Sequence, residues 1–285
     1  MINSLWLGSA AMSAQQLKVD TISNNLANVN TTGYKRGRVN FQELVYVTVP
    51  EWPGSNLGTQ APPQGAQAVP FGPATLKVGA GTRAIGVERL QTAGLLQSTG
   101  VETDLGLDGD GFFGIRTSSG ETLYTRDGHF TFDAAGNLVT SAGESVVIEG
   151  GTRLPVGAKD LSVARDGTIT ATVSGQAQPS NFGRISLFRF GNPGGLEAMG
   201  QNLYQATEAS GPAAAETGTG AGGAGGSGGT VTTPTKVRQE YLEASNVSLI
   251  DEMVGLMQAQ RAYEMGAKIV QNADTLMAIA NGLKR

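Results

Sequence analysis

The stretch from residue 237 to residue 285 restricts the fold of this chain most, because it is long and contains no proline. Ser248 is followed by Asp251, a spacing typical of a helix start, since the serine hydroxyl can accept a hydrogen bond from the third backbone N–H. Asp251 and Glu252 place negative charge in the first turn, where the helix dipole favours it. The sequence therefore predicts one helix of roughly ten turns that begins near Ser248.

Apolar side chains form a stripe along this predicted helix. Val254, Met265 and Leu276 are separated by eleven residues, a repeat of about 3.67 residues per turn that keeps the stripe nearly straight. An amphipathic helix needs a partner that covers its apolar side. We therefore predict an assembly interface on this helix, formed by Ile250, Val254, Met257, Met265, Ile269, Leu276, Ile279 and Leu283.

A second proline-free stretch opens the chain, from Ile2 to Val29. Its apolar residues recur every seven positions, which is the period of a coiled-coil seam. Gly33 can take the left-handed conformation that ends a helix. The predicted assembly interface on this helix consists of Leu5, Met12, Val19, Ile22, Leu26 and Val29.

Two arrangements of the terminal helices fit these patterns. The helices can form a hairpin within one chain, or they can bundle between subunits. The opposite face of the first helix carries mainly hydroxyl and amide side chains, such as Ser13, Gln16 and Asn24, which pack at a lower desolvation cost than charged groups. We favour bundling between subunits, and we expect the ends of the isolated chain to be mobile before assembly.

The composition and net charge of the chain argue against one class of function, nucleic-acid binding. The chain has 285 residues and 42 glycines, and its 15% of charged residues lies below the usual quarter. With a net charge of −4 and no basic stripe interleaved with aromatics, the sequence predicts no nucleic-acid partner. We interpret the short cluster from Lys35 to Arg38 as a solvated turn.

The chain contains no cysteine, which excludes disulfides and thiolate chemistry. Its first residues lack the charged segment and the uninterrupted apolar run of a secretory signal peptide. No apolar run approaches the eighteen residues that cross a bilayer. We therefore expect no membrane insertion and, for a protein that leaves the cytoplasm, export without a cleaved signal peptide.

The central part of the chain has the pattern of an antiparallel β domain, with short alternating apolar runs separated by glycine turns. The predicted fold class is α+β, with long N- and C-terminal helices that form a coiled-coil-like assembly domain. Residues 1–36 and 237–285 form that domain, 37–73 an extended or hinge segment, 74–210 the β-rich outer domain, and 211–236 a glycine-rich flexible loop.

Three segments resemble catalytic or binding motifs, and none meets the requirements of its chemistry. Gly79–Ala84 fits a loose dinucleotide fingerprint, but a strand pattern follows it where a helix is required. The acidic run Asp104–Gly111 lacks the ligands of a calcium loop, so a turn is favoured there. His129 has no nucleophile elbow beside it. We predict no enzyme, no cofactor and no metal site, and we place the aromatic residues of this region in the core, including Phe112, Phe130 and Phe132.

Two motifs near the helices resemble the signatures of the axial proteins of the bacterial flagellum, the rod and hook family. The first is ANVNTTGYK at 27–35, and the second is SNVSLIDEMVGLMQAQRAYE at 245–264. DGDGFFGI, YTRDGHFTFDAAGNLVT and GLEAMGQNLYQATEASG are more similar to the distal-rod members of this family than to its proximal-rod or hook members. The signature residues are Ala27, Asn28, Thr32, Gly33, Tyr34, Lys35, Ser245, Asn246, Val247, Gln260, Arg261, Ala262, Tyr263 and Glu264.

The resemblance implies a structural subunit that polymerises helically into the distal rod, the drive shaft that carries torque from motor to hook. It also implies partners: further copies of the chain, other rod and hook axial proteins, the surrounding P and L rings, and the flagellar type III export apparatus. The implied location is the basal body, across the periplasm to the outer membrane. A proximal-rod or hook subunit is the nearest alternative, and a secreted adhesin-like protein is a more distant one.

Overall fold

The structure, a computed structural model, describes residues 2–49, 76–79, 81–150, 159–173, 178–216 and 234–282. Residues 50–75, most of the glycine-rich loop predicted at 211–236, and the predicted interface residue Leu283 lie outside these ranges. The chain forms two compact units. The first consists of 1–22, 39–87 and 253–285, and the second of 23–38 and 88–252.

Two long helices dominate the first unit, α1 (Ile2–Ala27) and α2 (Leu249–Gly282). The predicted start of α2 is confirmed, because the Asp251 N–H donates to Ser248 Oγ at 3.4 Å. The expectation that α1 continues to Val29 was wrong by two residues. The Val29 N–H bonds to the Leu26 carbonyl at 3.3 Å, three residues back, so the helical ladder closes into a turn.

The two helices contact each other within the first unit as an antiparallel pair. A Cβ added to Gly8 would lie 2.7 Å from Val270 Cγ2, and one added to Gly266 would lie 2.9 Å from Met12 Cγ. Nearer the start of α2, Gly255 faces Ile22 in ordinary van der Waals contact, at 3.4 Å. The hairpin arrangement is therefore present within a single chain.

Four strands continue the first unit: β1 (Gly37–Glu43), β2 (Tyr46–Val49), β3 (Leu76–Gly79) and β4 (Thr82–Arg89). β1 pairs with β4, and β2 pairs with β3 in antiparallel register, with Val47 opposite Val78. A strand rather than a helix therefore follows Gly79, as the sequence predicts. A helix N-terminus that could bind a pyrophosphate is not formed there.

The second unit contains seventeen strands among the described residues, and a 3-10 turn at Pro193–Gly195. Its strands are β5 (Leu96–Ser98), β6 (Leu105–Asp108), β7 (Phe112–Arg116), β8 (Thr122–Thr125), β9 (Phe130–Phe132), β10 (Leu138–Thr140), β11 (Ser145–Val146), β12 (Ile148–Glu149), β13 (Lys159–Val163), β14 (Thr168–Thr172), β15 (Ser180–Ile185), β16 (Leu187–Arg189), β17 (Glu197–Gly200), β18 (Leu203–Gln205), β19 (Ala214–Glu216), β20 (Lys236–Gln239) and β21 (Tyr241–Glu243).

These strands form antiparallel sheets, which confirms the predicted α+β class with a central, mainly antiparallel β domain. The larger sheet has the order β17-β18-β8-β7-β11-β10-β9, and β16 joins it by pairing with both β7 and β19. A second sheet has the order β12-β15-β14-β13. β20 pairs with β6 and β21 pairs with β5, so the chain before α2 returns to the β domain.

Aromatic and branched side chains fill the core of the second unit. Phe113 and Phe130 pack edge to face with ring centroids 5.1 Å apart, and Phe112 packs in the same way on Phe190 at 5.6 Å. Phe132 was wrongly placed in this core. It is the last residue of the short strand β9 and is 38% exposed, whereas Phe130 at the start of that strand is buried.

Several elements differ from the sequence-based expectations. Ala214–Glu216, inside the predicted flexible loop, is a strand because it pairs with β16. The predicted turn at Asp104–Gly111 is instead the strand β6 followed by a turn, since β20 pairs with it along its whole length. Five further strands, β5, β17, β18, β20 and β21, have no clear local alternating pattern. Each has only three or four residues, and pairing with distant segments defines them rather than local alternation.

Candidate functional site

The α2 helix exposes a row of large apolar side chains in the single chain. Its described members are between 43% and 74% exposed, and Ile250 is the most exposed of them. An apolar row of this length is unusual on a protein that acts alone. It coincides with the predicted α2 interface, and we call it the α2 row: Ile250, Val254, Met257, Met265, Ile269, Leu276 and Ile279.

The opposite side of α2 carries small residues and faces the chain's own α1. Ala259, Gly266 and Ala273 are buried there, and a Cβ on Gly266 would be 3.8 Å from the Gly8 carbonyl oxygen. Small side chains allow two helix backbones to approach closely. The in-chain contact therefore uses the narrow side of α2 and leaves its large side chains free.

The residues predicted for the α1 interface are more covered than the α2 row. Ile22 is buried in contact with Gly255. The remaining members are half-buried, and they are Leu5, Met12, Val19, Leu26 and Val29. Part of the predicted α1 seam is thus occupied by the in-chain hairpin. A role of the α1 and α2 residues in assembly stays a prediction.

The first signature folds into a buried junction in the second unit. Gly33 has φ +66°, and a Cβ there would lie 2.7 Å from the Asp127 backbone nitrogen. The Thr32 hydroxyl donates to Asp127 Oδ1 at 2.8 Å, and the Asn202 side-chain amide donates to the Thr32 carbonyl at 3.0 Å. Only glycine combines this conformation with this close approach, so the signature anchors the end of α1 to the β domain.

Lys35 lies at the centre of the junction, which contradicts the interpretation of Lys35–Arg38 as a solvated turn. Its Nζ lies 2.6 Å from Glu243 Oε1 and donates to the Thr92 carbonyl at 2.7 Å. Arg126 Nη1 lies 3.3 Å from Glu243 Oε2, and all three side chains are 1% exposed. Burial lowers the pKa of Lys35, and the Glu243 carboxylate opposes that shift. A buried cation needs such partners, which local sequence does not reveal.

The second signature contributes to the same junction through Asn246. Its Oδ1 accepts the Arg36 N–H at 2.7 Å, and its Nδ2 donates to the Leu90 carbonyl at 2.8 Å. Ser245 and Val247 flank it and are half-buried. Family-signature residues from the two ends of the chain therefore meet in one polar network.

The helix ends in the second unit also meet. Asn25 Nδ2 donates to Glu252 Oε2 at 3.3 Å and to the Gly37 carbonyl at 2.9 Å, while Asn25 Oδ1 accepts the Gly37 N–H at 2.8 Å. The Tyr34 hydroxyl donates to Asn24 Oδ1 at 2.8 Å, and burial raises the pKa of Tyr34. Asn25 and Glu252 are both buried.

The remaining signature residues are not part of the junction. Ala27 is exposed and Asn28 is half-buried at the end of α1, where the Asn28 side chain donates to the Asn24 carbonyl. Gln260, Arg261, Tyr263 and Glu264 are exposed on α2, and Ala262 is half-buried. The structure thus divides the second signature between the junction and the surface of α2.

Sequence reasoning missed Glu243, Arg126, Asn25 and Glu252, because a single charged or amide residue carries no local sign of burial. It also missed Trp6 and Met253, which add exposed apolar area to the helices.

The residues considered for catalysis and metal binding make structural contacts. His129 Nδ1 lies 3.0 Å from Asp104 Oδ1, and the two residues form an isolated β-bridge. Within the described ranges, no three His, Asp or Glu side chains converge as metal ligands would. Neither α1 nor α2, as far as the structure describes them, is apolar enough to cross a membrane.

Three family models match the chain. Residues 7–35 match the model described as flagella basal body rod protein, residues 106–171 match the flagellar hook protein FlgE/F/G D1 domain, and residues 238–283 match the flagellar basal body rod FlgEFG protein C-terminal. The first and third models contain the two signatures, and the third also contains the whole α2 row.

Curated relatives match over the whole length. The flagellar basal-body rod protein FlgG of Borreliella burgdorferi is 38% identical and covers 100% of both chains. FlgG of Caulobacter vibrioides is 38% identical over 99% of this chain and 100% of its own. A rod protein of another type, FlgF of Caulobacter vibrioides, is 31% identical over 97% of this chain and 95% of its own. The chain therefore belongs to the flagellar basal-body rod protein family, and within it to the FlgG type.

Proposed function

We propose that this chain is a structural subunit that polymerises helically into the distal rod of the flagellar basal body and transmits torque from motor to hook. The observation that carries the proposal is the α2 row, which is exposed in a chain whose relatives are rod proteins over their whole length. Burying an exposed apolar surface contributes about 25 cal/mol per Å² of area removed from water, so neighbouring subunits gain by covering the row.

The mode of assembly follows from the position of this surface. When the α2 row of one copy meets a different surface of the next copy, the contact is heterologous. If the rotation between successive copies does not close them into a ring, such contacts build an open helical polymer. We propose that the terminal helices of many copies form the central tube in a coiled-coil-like bundle. The in-chain hairpin then acts as the repeating unit of that tube. The low charge of the chain reduces repulsion between packed copies.

The partners and the location are part of the same proposal. Besides further copies of the chain, we propose other rod and hook axial proteins as neighbours at the two ends of the polymer. The P and L rings surround it between the periplasm and the outer membrane, and the flagellar type III apparatus exports it without a cleaved signal peptide. No catalytic step is needed for this role, and none is proposed.

Electron microscopy of basal bodies tests the proposal. A strain without the gene is compared with the same strain complemented by it. The expected result is a short rod without hook or filament in the deletion strain and complete structures after complementation. Complete hooks and filaments in the deletion strain would contradict the proposal.

The FlgF relative supports a second candidate, a rod subunit of another type. The two candidates differ in where the chain lies along the rod. Labelling of the chain in isolated basal bodies separates them: a label next to the hook supports the distal rod, and a label confined to the motor end supports the other segment.

A further inference from the structure

Four exposed polar residues line one side of α1 in the first unit. They are spaced by four, three and four residues, which places them on one face of the helix, and we call them the α1 stripe: Ser9, Ser13, Gln16 and Asp20. Asp20 is the only acidic residue between Ile2 and Ala27. The Ser9 hydroxyl already donates to the Trp6 carbonyl at 3.0 Å, so covering Ser9 would not leave its donor without an acceptor.

The α2 row, in contrast, contains a cation. Arg261 is exposed and lies four residues after Met257 and four residues before Met265, so its side chain stands between two members of the row. Within the parts of the chain that the structure describes, neither Arg261 nor Asp20 has an ion-pair partner. Each helix of the first unit therefore presents an unpaired charge, and the two charges are opposite.

The charges near the α2 row do not cancel within α2. Lys268 lies four residues after Glu264, the spacing at which an acid and a base on one helix attract each other. Glu264 also lies three residues after Arg261, so one carboxylate is shared by two cations. Asp274 lies thirteen residues after Arg261, which places it about 220° around the helix, away from the row. One positive charge is left over beside the row.

Covering the α2 row makes this leftover charge costly. A cation that is removed from water destabilises the covered state unless a carboxylate pairs with it. A guanidinium group does not lose its proton in a protein, so Arg261 cannot become neutral instead. Guanidinium groups bind carboxylates through two parallel hydrogen bonds. The surface that covers the row must therefore place a carboxylate opposite Arg261.

We propose that the α1 stripe of one copy covers the α2 row of the next, and that Asp20 of the first copy forms an ion pair with Arg261 of the second. This inference rests on the proposed function. The stripe supplies the single anion of α1, and its two serines leave room for the long, adaptable side chains of Met257 and Met265. The pair forms only during assembly, so the helices of the free subunit can be mobile before it.

Charge reversal in the complemented deletion strain tests this pair. Arg261→Glu brings a carboxylate beside Asp20, and Asp20→Arg brings a second cation beside Arg261. Each single variant is expected to reduce hooks and filaments to the number found in the deletion strain. The double variant exchanges the two charges and is expected to restore hooks and swimming. The purified variants should keep the circular dichroism of the parent, because both side chains are exposed in the single chain.

The matched control reverses a different cation on the same helix. Lys268→Glu combined with Asp20→Arg changes the charges by the same amounts as the rescuing combination, seven residues further along α2. It leaves Arg261 facing the cation introduced at position 20, so rods are expected to stay absent. Rescue confined to Arg261→Glu would identify Arg261 as the partner of Asp20, and equal rescue by Lys268→Glu would overturn that pairing in favour of net charge alone.

Two further results would overturn the pair. One is normal rods from either single variant, and the other is a folded double variant that builds no more hooks than the singles. If a reversed variant does not fold, the neutral changes Arg261→Gln and Asp20→Asn decide instead. Partners in one ion pair are not additive, so the double neutral variant should assemble no worse than Arg261→Gln alone, and additive losses would contradict the pair.

Failure of the pair is distinct from failure of the proposed function. Complete hooks in the deletion strain itself would refute the proposed function before any variant is introduced. A deletion strain without hooks that is complemented by the parent chain, but in which exchanging the two charges restores nothing, would refute only the pairing of Asp20 with Arg261.

Discussion

Lys35 Nζ lies 2.6 Å from Glu243 Oε1 in a site where both side chains are 1% exposed, although 208 residues separate them in sequence. Glu243 Oε1 also accepts the Gly94 N–H at 2.7 Å, and Glu243 Oε2 faces Arg126. One carboxylate thus holds together the segment after α1, the β domain and the segment before α2. The junction of the second unit depends on it.

Glu243→Gln is expected to destabilise the chain strongly. The change leaves Lys35 and Arg126 buried without a counter-charge, and breaking a buried ion pair from one side costs about 3–5 kcal/mol. The measurement is the free energy of unfolding in urea. Arg238→Gln is the matched control, because Arg238 pairs with Asp108 at the surface, where a lost ion pair costs about 0–1 kcal/mol. Equal losses in the two variants would contradict this account.

Gly33→Ala is expected to destabilise the chain more than Gly120→Ala. Both glycines have positive φ, +66° and +86°, so each substitution costs about 1–2 kcal/mol for the left-handed conformation. Only at Gly33 would the new Cβ also lie 2.7 Å from a backbone nitrogen, that of Asp127, while Gly120 has open space around it. Thermal unfolding of the two variants measures the difference, and similar melting temperatures would argue against the close approach.

Two helix glycines should respond to alanine in opposite directions. Gly255→Ala places a methyl group in ordinary contact with Ile22, at 3.4 Å, so the gain in helix propensity of about 1 kcal/mol is retained. Gly8→Ala places a methyl group 2.7 Å from Val270 Cγ2, which must move, so the pair is expected to separate and lose stability. The melting temperature of the helical circular-dichroism signal is the measurement for both variants. A Gly8→Ala variant that melts at a higher temperature than the parent would show that α1 and α2 are further apart at Gly8 than the 2.7 Å approach implies.

Stability is expected to fall above about pH 10. Burial raises the pKa of Tyr34, Tyr124 and Tyr204 in the folded chain. The folded state therefore keeps protons that the unfolded state releases above that pH, so their contribution is complete below the unfolded pKa and is lost as the pH rises through the folded pKa. Urea unfolding between pH 9 and 11 tests this. Tyr204→Phe should flatten the decline, whereas replacing the exposed Tyr263 by Phe should leave it unchanged.

Ile269→Asp is expected to abolish rod formation while the single chain still folds. Ile269 is 49% exposed, so the charge remains solvated in the monomer. In a polymer that covers the α2 row, it would be buried without a partner, at several kcal/mol per subunit. The readout is swimming and electron microscopy of basal bodies, together with circular dichroism of the purified chain. Gln271→Asp, exposed on the same helix, is the control and should still form rods. Normal rods from Ile269→Asp would refute a covered α2 row.

Periodicity predicted the elements that depend on local pattern. The start of α2 at Ser248 and Asp251 follows from capping chemistry, and strands such as Thr168–Thr172 follow from alternation. The eleven-residue repeat also identified the large side chains that α2 leaves exposed. These features depend on side chains a few residues apart, which a sequence displays directly.

The junction could not be predicted in the same way. Lys35 is buried because Glu243 and the Thr92 carbonyl surround it, and those partners come from distant strands and loops. Strands such as Lys236–Gln239 exist because Leu105–Asp108 lies beside them. The small-residue side of α2 was overlooked because glycine and alanine give no apolar signal, although they determine how closely α1 approaches.

The central claim is that neighbouring copies cover the α2 row in the assembled rod. Electron cryo-microscopy of rods from the complemented strain, at a resolution that shows side chains, measures this directly. The account predicts that Met257, Met265 and Ile269 lie within van der Waals distance of another copy and lose most of the exposure they have in the single chain. A map in which these side chains face open solvent or an empty channel, with the copies joined only through their β domains, would contradict it.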